Sequence, residues 1–205
     1  AKLLQELQRH GKYPFELVFL VMNPGYNADN WKIIQDNAKL LGIPLTVFES
    51  DIFDTVATIE QNPCYLCARM RRGHLYAQAK ALGCNKIALG HHFDDAVETF
   101  LMSLLYEGRI SCFEPVTYLS RTGITQIRPM LYVGEQAIAH FAERYELPVV
   151  HNVCPADKHT KRQEVKELLL QLEERYPNLR QKIFGAMQRQ PLPNWGVEPP
   201  QREKR

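Results

Sequence analysis

The amino-acid sequence predicts an open, mostly parallel, doubly wound α/β sheet. Helical and strand patterns alternate along the 205 residues, which is typical of parallel strands joined by helices. Several helical patterns stop at a glycine, the residue that most readily ends a helix. A composition of 45% hydrophobic and 23% charged residues fits one globular domain, which we place at residues 1–190, followed by a proline-rich basic tail at 191–205.

The individual elements are predicted from periodicity and from turn residues. Seven segments have apolar residues at helical spacing and are predicted helices: 3–10, 31–41, 67–82, 94–107, 135–145, 161–175 and 178–188. Six apolar or β-branched runs are predicted strands: 16–22, 45–48, 86–89, 116–119, 124–127 and 148–150. The fourth and fifth strands flank Arg121–Gly123 and are expected to form a hairpin.

Composition restricts the environment and the partners. Five cysteines are an odd number, which fits poorly with a secreted disulfide framework, and the sequence has no signal-peptide pattern and no apolar run of membrane-spanning length. We therefore expect a cytoplasmic protein with reduced thiols and no membrane association. The net charge of +2 is small, but positive residues cluster at 69–72, 158–162 and 202–205, where they suit phosphate or RNA contacts.

Reactive side chains follow three of the predicted strands. Cys64 and Cys67 come after the second strand, the run Gly90–Thr99 comes after the third, and Cys154 comes after the last. In open α/β sheets ligands bind outside the carboxyl ends of the strands, because helix N-termini and connecting loops gather there. We therefore expect these three groups to meet at one edge of the sheet.

Two further cysteines are excluded from this predicted site. Cys84 precedes its strand, and Cys112 follows a helix that is expected to have run back to the opposite edge of the sheet. Neither thiol is expected to take part in the chemistry.

The cysteine spacing indicates metal or redox chemistry. Cys64 and Cys67 lie three residues apart at a helix start, where both sulfurs share a face and the helix dipole favours thiolates. Such a pair alone is as typical of a zinc half-site as of a redox dithiol. With Cys154 there are three thiolates, too few for a four-cysteine zinc site but enough for a [4Fe–4S] cluster with one open iron. The alternative is a structural zinc held by the three cysteines and a histidine such as His151 or His159.

An acidic run, Asp94, Asp95 and Glu98, lies at the start of a predicted helix. Carboxylates suit magnesium phosphates and proton transfer. The alternative is structural, since acids favour the first helical turn and Asp95 with Glu98 resembles a capping box in which Asp replaces Ser or Thr. The histidines that precede the run favour a functional role.

Gly90, His91 and His92 form the connection from the third strand to this helix. Gly90 allows the chain to turn sharply out of the strand, so that both histidines stand where a nucleotide or a substrate base would lie. One of the two histidines can still be a satisfied core residue.

Three arginines, Arg69, Arg71 and Arg72, follow the cysteine pair on a predicted helix. In that position they would ordinarily be a solvated face. Beside an ATP or RNA phosphate they would be pairing groups, because the planar guanidinium matches phosphate oxygens. We predict a functional role for Arg71 and only surface contact with RNA for the other two.

Together these motifs resemble the PP-loop ATPases of the tRNA-thiolating group, and most closely the tRNA 2-thiocytidine synthetases (tRNA-cytidine 2-sulfurtransferases). The resemblance covers almost the whole chain and rests on four motifs: Cys64–Gly73, Gly90–Asp95, Ile127–Met130 and the segment before Cys154–Pro155. It implies an adenine-nucleotide alpha hydrolase-like fold. It also implies that Cys64, Cys67 and Cys154 ligate an oxygen-sensitive [4Fe–4S] cluster.

The same resemblance implies a reaction and its partners. ATP and Mg²⁺ adenylate the C2 oxygen of an anticodon-loop cytidine in tRNA, and a sulfur carried on the open iron or on a cysteine persulfide displaces AMP. Asp94 and Asp95 handle metal or proton transfer, Arg71 faces phosphate charge, and Gly90–His92 contribute to binding the cofactor. The implied partners are tRNA, a sulfur donor such as the persulfide of a cysteine desulfurase, and a second copy of the chain in a homodimer. An alternative on the same scaffold is sulfur transfer to a small molecule.

One part of the family pattern does not occur in the sequence. The signature phosphate loop, Ser-Gly-Gly-x-Asp-Ser, and the strand that precedes it are absent. That strand would be central in the sheet, so we expect residues 15–22 and 86–90 not to pair as neighbours. We further expect that the parent polypeptide carries some tens of residues before Ala1 with this strand and loop, and that the 205-residue form binds ATP poorly.

Overall fold

Two structural units are formed by segments that alternate along the chain. The computed structural model describes these residues, with only the backbone at Pro63 and Cys64: 1–50, 52, 55, 63–148 and 160–189. The first unit comprises Ala1–Asn85 and Ala142–Pro155, and the second comprises Lys86–Phe141 and Ala156–Arg205.

The first unit contains a parallel strand–helix–strand arrangement. Its elements are α1 (Lys2–His10), β1 (Phe19–Asn23), α2 (Ala28–Leu40), β2 (Leu45–Glu49) and α3 (Pro63–Ala81). β1 and β2 pair in parallel, with Phe19 opposite Leu45 and Asn23 opposite Glu49. α2 crosses between the two strands, as parallel pairing requires.

Side-chain hydrogen bonds fix the ends of these elements. Asn27 caps α2 by accepting a hydrogen bond from the Asn30 N–H at 2.8 Å. The turn after α2 contains Gly42 in the left-handed conformation, with φ of 61°. Gln5 Nε2 of α1 donates to the Gly42 carbonyl at 2.9 Å, which ties the first helix to that turn.

Several predicted elements in this unit differ from the structure; α2, for example, begins at Ala28 instead of residue 31. β1 begins at Phe19 instead of residue 16, because its partner strand begins only after Pro44, which has no N–H to extend the ladder. α3 begins at Pro63 instead of Cys67, since proline is favoured at the first helical position. Of the strand predicted at 148–150, Pro148 is coil and accepts a hydrogen bond from Asn37, while the other two residues lie outside the described part.

The second unit combines a three-stranded sheet with helices. Its elements are β3 (Lys86–Ala88), α4 (Phe93–Glu107), β4 (Val116–Leu119), β5 (Ile124–Ile127), α5 (Glu135–Arg144, whose last three residues belong to the first unit), α6 (Lys161–Arg175) and α7 (Leu179–Arg189). The strand order is β3-β5-β4, with β3 parallel and β4 antiparallel to β5. The predicted hairpin is confirmed, with Gly123 at a φ of 73° in its turn.

The core of the second unit lies between α4, α6 and α7. Its buried side chains, each no more than 5% exposed, are Ala96, Val97, Leu131, Val165, Leu169, Phe184 and Met187. α4 ends as predicted, because Gly108 takes the left-handed conformation that terminates a helix, with φ of 63°. This core fixes the start of α4 relative to α6 and α7, where the polar residues described below meet.

The alternating elements and the two parallel strand pairs confirm the predicted α/β class. β1 pairs with β2 in the first unit, and β3 pairs with β5 in the second. Among the helices of the described ranges, none has the length and apolar character needed to span a bilayer.

Candidate active site at the start of helix α4

The first turn of α4 is organised by a capping interaction. His92 is the N-cap residue, and its backbone N–H donates to Asp95 Oδ2 at 3.0 Å. The predicted capping box of Asp95 with Glu98 is therefore wrong by one turn, because the helix begins at Phe93 and places Asp95 at the third helical position. Asp95 takes the part that Glu or Gln usually plays in such a box.

Asp94 joins two other helices to α4. Its Oδ2 accepts a hydrogen bond from the Glu135 N–H at 2.7 Å, at the start of α5. Its Oδ1 lies 3.4 Å from Arg180 Nε of α7. The carboxylate therefore caps one helix and neutralises an arginine from another, which gives Asp94 a structural role in addition to the one predicted.

Asp95 and Glu98 share a single arginine from α6. Arg162 Nη1 lies 2.9 Å from Glu98 Oε2 and 3.4 Å from Asp95 Oδ1. Glu98 is only 4% exposed. Burial raises its pKa above the ordinary value, although the hydrogen bond and the charge of Arg162 act in the opposite direction. Glu98 is thus a buried acid whose charged form depends on its arginine.

A polar cavity of about 230 Å³ opens beside these residues. Its lining comes from α4, α5, α6 and the preceding turns: His92, Asp95, Glu98, Glu135, Thr160, Arg162, Gln163 and Lys166. Lys166 Nζ pairs with Glu135 at 2.7 Å, so both signs of charge line the space. Asp95 faces the cavity, whereas Asp94 is not part of its lining.

His91 lies against an aromatic ring. Its imidazole is 4.9 Å from the Phe113 ring, and the Arg128 guanidinium lies 4.6 Å from that same ring. Burial, and next the charge of Arg128, lower the pKa of His91, which favours the neutral imidazole. His91 Nδ1 is buried and has no hydrogen-bond partner within the described ranges.

Gly90 does not adopt the sharp turn that the sequence predicted for it. Its φ lies outside the left-handed region, and an added Cβ would meet only Met130 Cε, at 3.8 Å. The described protein atoms therefore do not require glycine here.

The cysteine pair lies on α3 in the first unit. Cys67 is a half-buried free thiol, and Cys64 precedes it by one helical turn on the same backbone. Cys154, like His151 and His159, lies outside the described residues. Among the side chains that are described, no three His, Cys, Asp or Glu residues are arranged to hold a metal ion. The predicted meeting of all three cysteines stays a prediction.

Arg71 lies on α3 one turn after Cys67. It is half-buried, whereas Arg69 and Arg72 are exposed, which agrees with the distinction drawn from the sequence. Arg71 already interacts with other residues of the protein. Its predicted contact with phosphate stays a prediction.

Cys112 occupies a different place from the one predicted. Its Sγ donates to the Ala96 carbonyl at 3.5 Å, so the thiol lies at the first turn of α4 instead of at the opposite end. The connection between Gly108 and β4 runs back along the helix and carries Cys112 with it. Burial raises the pKa of this thiol to about 12, so it remains protonated and is a poor metal ligand.

Sequence reasoning did not place Arg162, Lys166 or Arg180 at this site, and it assigned Arg162 only to the positive cluster at 158–162, as a contact for phosphate or RNA. Lys166 is 31 positions from its partner Glu135 in the sequence, and Arg162 is 67 positions from Asp95, so local spacing could not reveal these pairs. One signal was present in the sequence. Lys161 and Arg162 form the first turn of α6, where a cation opposes the helix dipole and therefore requires another explanation.

Comparison with known proteins gives a consistent answer. Residues 3–173 match the model of the PP-loop domain family. A tRNA-cytidine(32) 2-sulfurtransferase from Pelobacter propionicus is 37% identical over 191 residues, covering 90% of this chain and 71% of the relative. The chain belongs to the tRNA-cytidine(32) 2-sulfurtransferase family of PP-loop proteins. The enzyme of the same name from Syntrophotalea carbinolica is 36% identical, with 90% and 73% covered.

The family membership confirms the resemblance that the motifs indicated. A solved structure of the same fold is the U34-tRNA thiolase NcsA from Methanococcus maripaludis with its [4Fe-4S] cluster, at 22% identity and a TM-score of 0.71. The match covers 90% of this chain and 66% of the thiolase chain, so this protein spans about two thirds of the length of the thiolase. The adenine-nucleotide alpha hydrolase-like fold is confirmed, and the family is one of enzymes.

Proposed function

We propose that this protein is an ATP-dependent sulfurtransferase that thiolates a cytidine in the anticodon loop of tRNA. The observation that carries the proposal is the cavity at the start of α4, where His92 and Asp95 stand side by side in a member of this family. The relatives that match over 90% of the chain are named for thiolation of a tRNA cytidine. tRNA is therefore the proposed substrate.

The proposed cofactors are a [4Fe–4S] cluster, ATP and Mg²⁺. We assign the cluster to Cys64, Cys67 and Cys154, because three thiolates leave one iron open to a sulfur ligand. The described part of this arrangement is consistent, since the backbone of Cys64 and the free thiol of Cys67 share one face of α3. The solved thiolase of the same fold contains a cluster of this type.

When bound, ATP would make the C2 oxygen of cytidine a leaving group, and the cluster held by the three cysteines would supply the sulfur that replaces it. The chain has to hold the base, exclude water and move a proton. His92 Nε2 lies 3.3 Å from Asp95 Oδ2, which is a geometry for proton transfer at the cavity wall. Asp94 and Asp95 are the proposed residues for magnesium or proton handling.

His91 is the proposed contact for the nucleotide or the target base. Its neutral ring offers an unpartnered Nδ1, and the adjacent Phe113 provides an aromatic surface. Gly90 and His92 flank it in the same connection. Arg71 is proposed to pair with phosphate, since hydrogen bonds from a guanidinium to phosphate oxygens are strong and directional. A sulfur donor of the cysteine desulfurase type and a homodimer complete the proposed partners.

The proposal is tested by anaerobic purification followed by an assay of tRNA thiolation. The complete enzyme is supplied with ATP, Mg²⁺, a sulfide source and unmodified tRNA, and 2-thiocytidine is measured by mass spectrometry of the digested nucleosides. We expect iron and sulfide near four of each per chain, as a [4Fe–4S] cluster requires, and thiolation that depends on ATP.

Two alternative outcomes would exclude the proposal in different ways. Zinc in place of iron, with no thiolation, would indicate a structural metal module. Iron with sulfur transfer to a small molecule but not to tRNA would indicate a different substrate on the same scaffold.

A further inference from the structure

Two like charges lie close together on one face of α4. Asp95 and Glu98 are three residues apart, so their carboxylates project from the same side of the helix. Glu98 is 4% exposed, and a buried carboxylate without a partner is strongly unfavourable. In the part of the chain that the structure describes, the cation within ion-pair distance of Glu98 is Arg162, with Nη1 2.9 Å from Oε2.

The guanidinium of Arg162 reaches three residues of α4 at once. Besides Glu98, Nη1 lies 3.4 Å from both the carboxylate and the carbonyl oxygen of Asp95. Nη2 donates to Thr99 Oγ1 at 3.0 Å. A planar fork with separate donors can make these contacts together, whereas a lysine ammonium is a point charge and cannot reproduce them.

Arg162 does not stabilise the helix that carries it. It lies at the second position of α6, where a cation opposes the helix dipole. The cap of α6 is made without it, because Thr160 accepts a hydrogen bond from the Gln163 N–H at 3.2 Å. The side chain therefore acts on α4.

We propose that Arg162 is a positioning residue that fixes Asp95, and through it His92, for the thiolation reaction. Asp95 Oδ2 accepts the His92 N–H at 3.0 Å and lies 3.3 Å from His92 Nε2, while its other oxygen faces Arg162. A shift of Asp95 would therefore change the position of the carboxylate that contacts His92 at the cavity wall. This role rests on the function proposed above.

The kinetic test compares Arg162→Gln and Arg162→Lys with a control on the same two helices. Tyr106→Phe breaks another side-chain hydrogen bond between α4 and α6, in which the Tyr106 hydroxyl donates to Glu164 Oε2 at 2.7 Å, and it leaves Asp95 and Glu98 unchanged. We expect Arg162→Gln to lower kcat about 100-fold, the effect of a misplacement near 1 Å, with little change in KM for tRNA. Arg162→Lys should recover part of the loss, and Tyr106→Phe should keep wild-type kcat.

A second readout needs no substrate. The side-chain carboxyl of Glu98 is titrated by ¹³C NMR, in surroundings that include Asp95 and His92 at the start of α4, Glu135 of α5, and Arg162 and Lys166 of α6. Arg162 lowers the pKa of Glu98 against the effect of burial. Its replacement by Gln should therefore shift the Glu98 titration to higher pH, whereas Tyr106→Phe should leave that titration in place.

The outcomes separate this inference from the proposed function. Wild-type turnover and an unshifted Glu98 titration in Arg162→Gln would overturn the role of Arg162 alone. An equal loss of kcat in Tyr106→Phe would show that Arg162 only holds two helices together, which also overturns the proposed role. If the wild-type protein does not thiolate tRNA, the proposed function fails. An unshifted Glu98 titration in Arg162→Gln would then also show that Arg162 does not act on Glu98. If Arg162→Gln does not fold, Arg162→Lys decides, because full kcat in that variant contradicts the need for the guanidinium fork.

Discussion

The cysteines of this protein differ in what their surroundings allow a thiol to do. Cys112 is buried against the first turn of α4 and keeps its proton. Cys67 is a half-buried free thiol near the start of α3. This contrast supports assigning metal binding to the cysteines on the predicted ligand loops and not to Cys112.

Replacement of single cysteines by serine should divide them into two classes. Cys64→Ser, Cys67→Ser and Cys154→Ser are expected to remove the cluster, because each takes away one of three thiolate ligands. Cys84→Ser and Cys112→Ser should keep it. The measurement is iron and sulfide content, with the brown absorbance, after anaerobic purification. An equal loss of iron in all five variants would contradict the assignment.

The thiol of Cys112 should resist alkylation in the native protein. A pKa of about 12, raised from an ordinary value of 9.0, lowers the thiolate fraction near pH 8 by about a thousandfold, and only the thiolate reacts. Its reactivity should therefore rise only as the pH approaches 12. Mass spectrometry after iodoacetamide treatment measures this, with urea-unfolded protein as the control. Rapid native labelling of Cys112 at pH 8 would refute it.

In the complete enzyme, Asp95→Asn and Asp94→Asn should abolish thiolation while the fold and the iron content persist. Loss of a capping interaction costs about 1 kcal/mol, whereas loss of a group that stabilises charge in the transition state costs about 3–4 kcal/mol, or a factor of about 10²–10³ in kcat. The matched control is Asp29→Asn, which changes an exposed acid in the first turn of α2. Wild-type turnover in both variants would leave only the structural roles described above.

The helices show which sequence signals are reliable. The end of α4 was predicted correctly because Gly108 imposes a local conformation that any surrounding structure must accept. The start of α3 was misplaced because the local signal of Pro63, which is favoured at the first helical position, was not used. The start of β1 was misplaced because it depends on the partner strand β2, which begins only after Pro44. A glycine or a proline therefore sets a boundary that can be read locally, whereas a boundary set by a partner strand has no local signal.

Two glycines in helical context should respond in opposite directions to alanine. Gly73 lies inside α3, and an added Cβ would meet no atom within 4 Å, so Gly73→Ala should raise the free energy of unfolding by about 0.5–1 kcal/mol. Gly108 has a φ of 63°, so Gly108→Ala should lower it by about 1 kcal/mol. Urea unfolding of both variants measures the difference. The same sign in both would contradict this account of α3 and α4.

Across the molecule, the sequence predicted the identity of the acidic and histidine residues at the candidate site but not how they are held. Gly90 to Glu98 are contiguous, so their grouping follows from the chain itself. Arg162 and Arg180 come from helices that pack on α4 through a shared apolar core, and that packing has no local signature. The prediction that Cys112 lies at the opposite edge of the sheet was wrong for the same reason. The path of the connection after Gly108 depends on what that connection packs against.

The alternation of the two units along the chain has a consequence for synthesis on the ribosome. The first unit is not complete at Asn85, because it also needs residues 142–155, and the Asn37 amide finds its acceptor only at Pro148. At a translation rate of about 5–20 residues per second, that segment emerges roughly 4–14 s after Asn85. During this interval the nascent β1–β2 pair has to persist without its last segment while most of the second unit is still being made. Neither unit is therefore an uninterrupted segment of the chain, and the first unit cannot be completed before residues 86–141 have been synthesised.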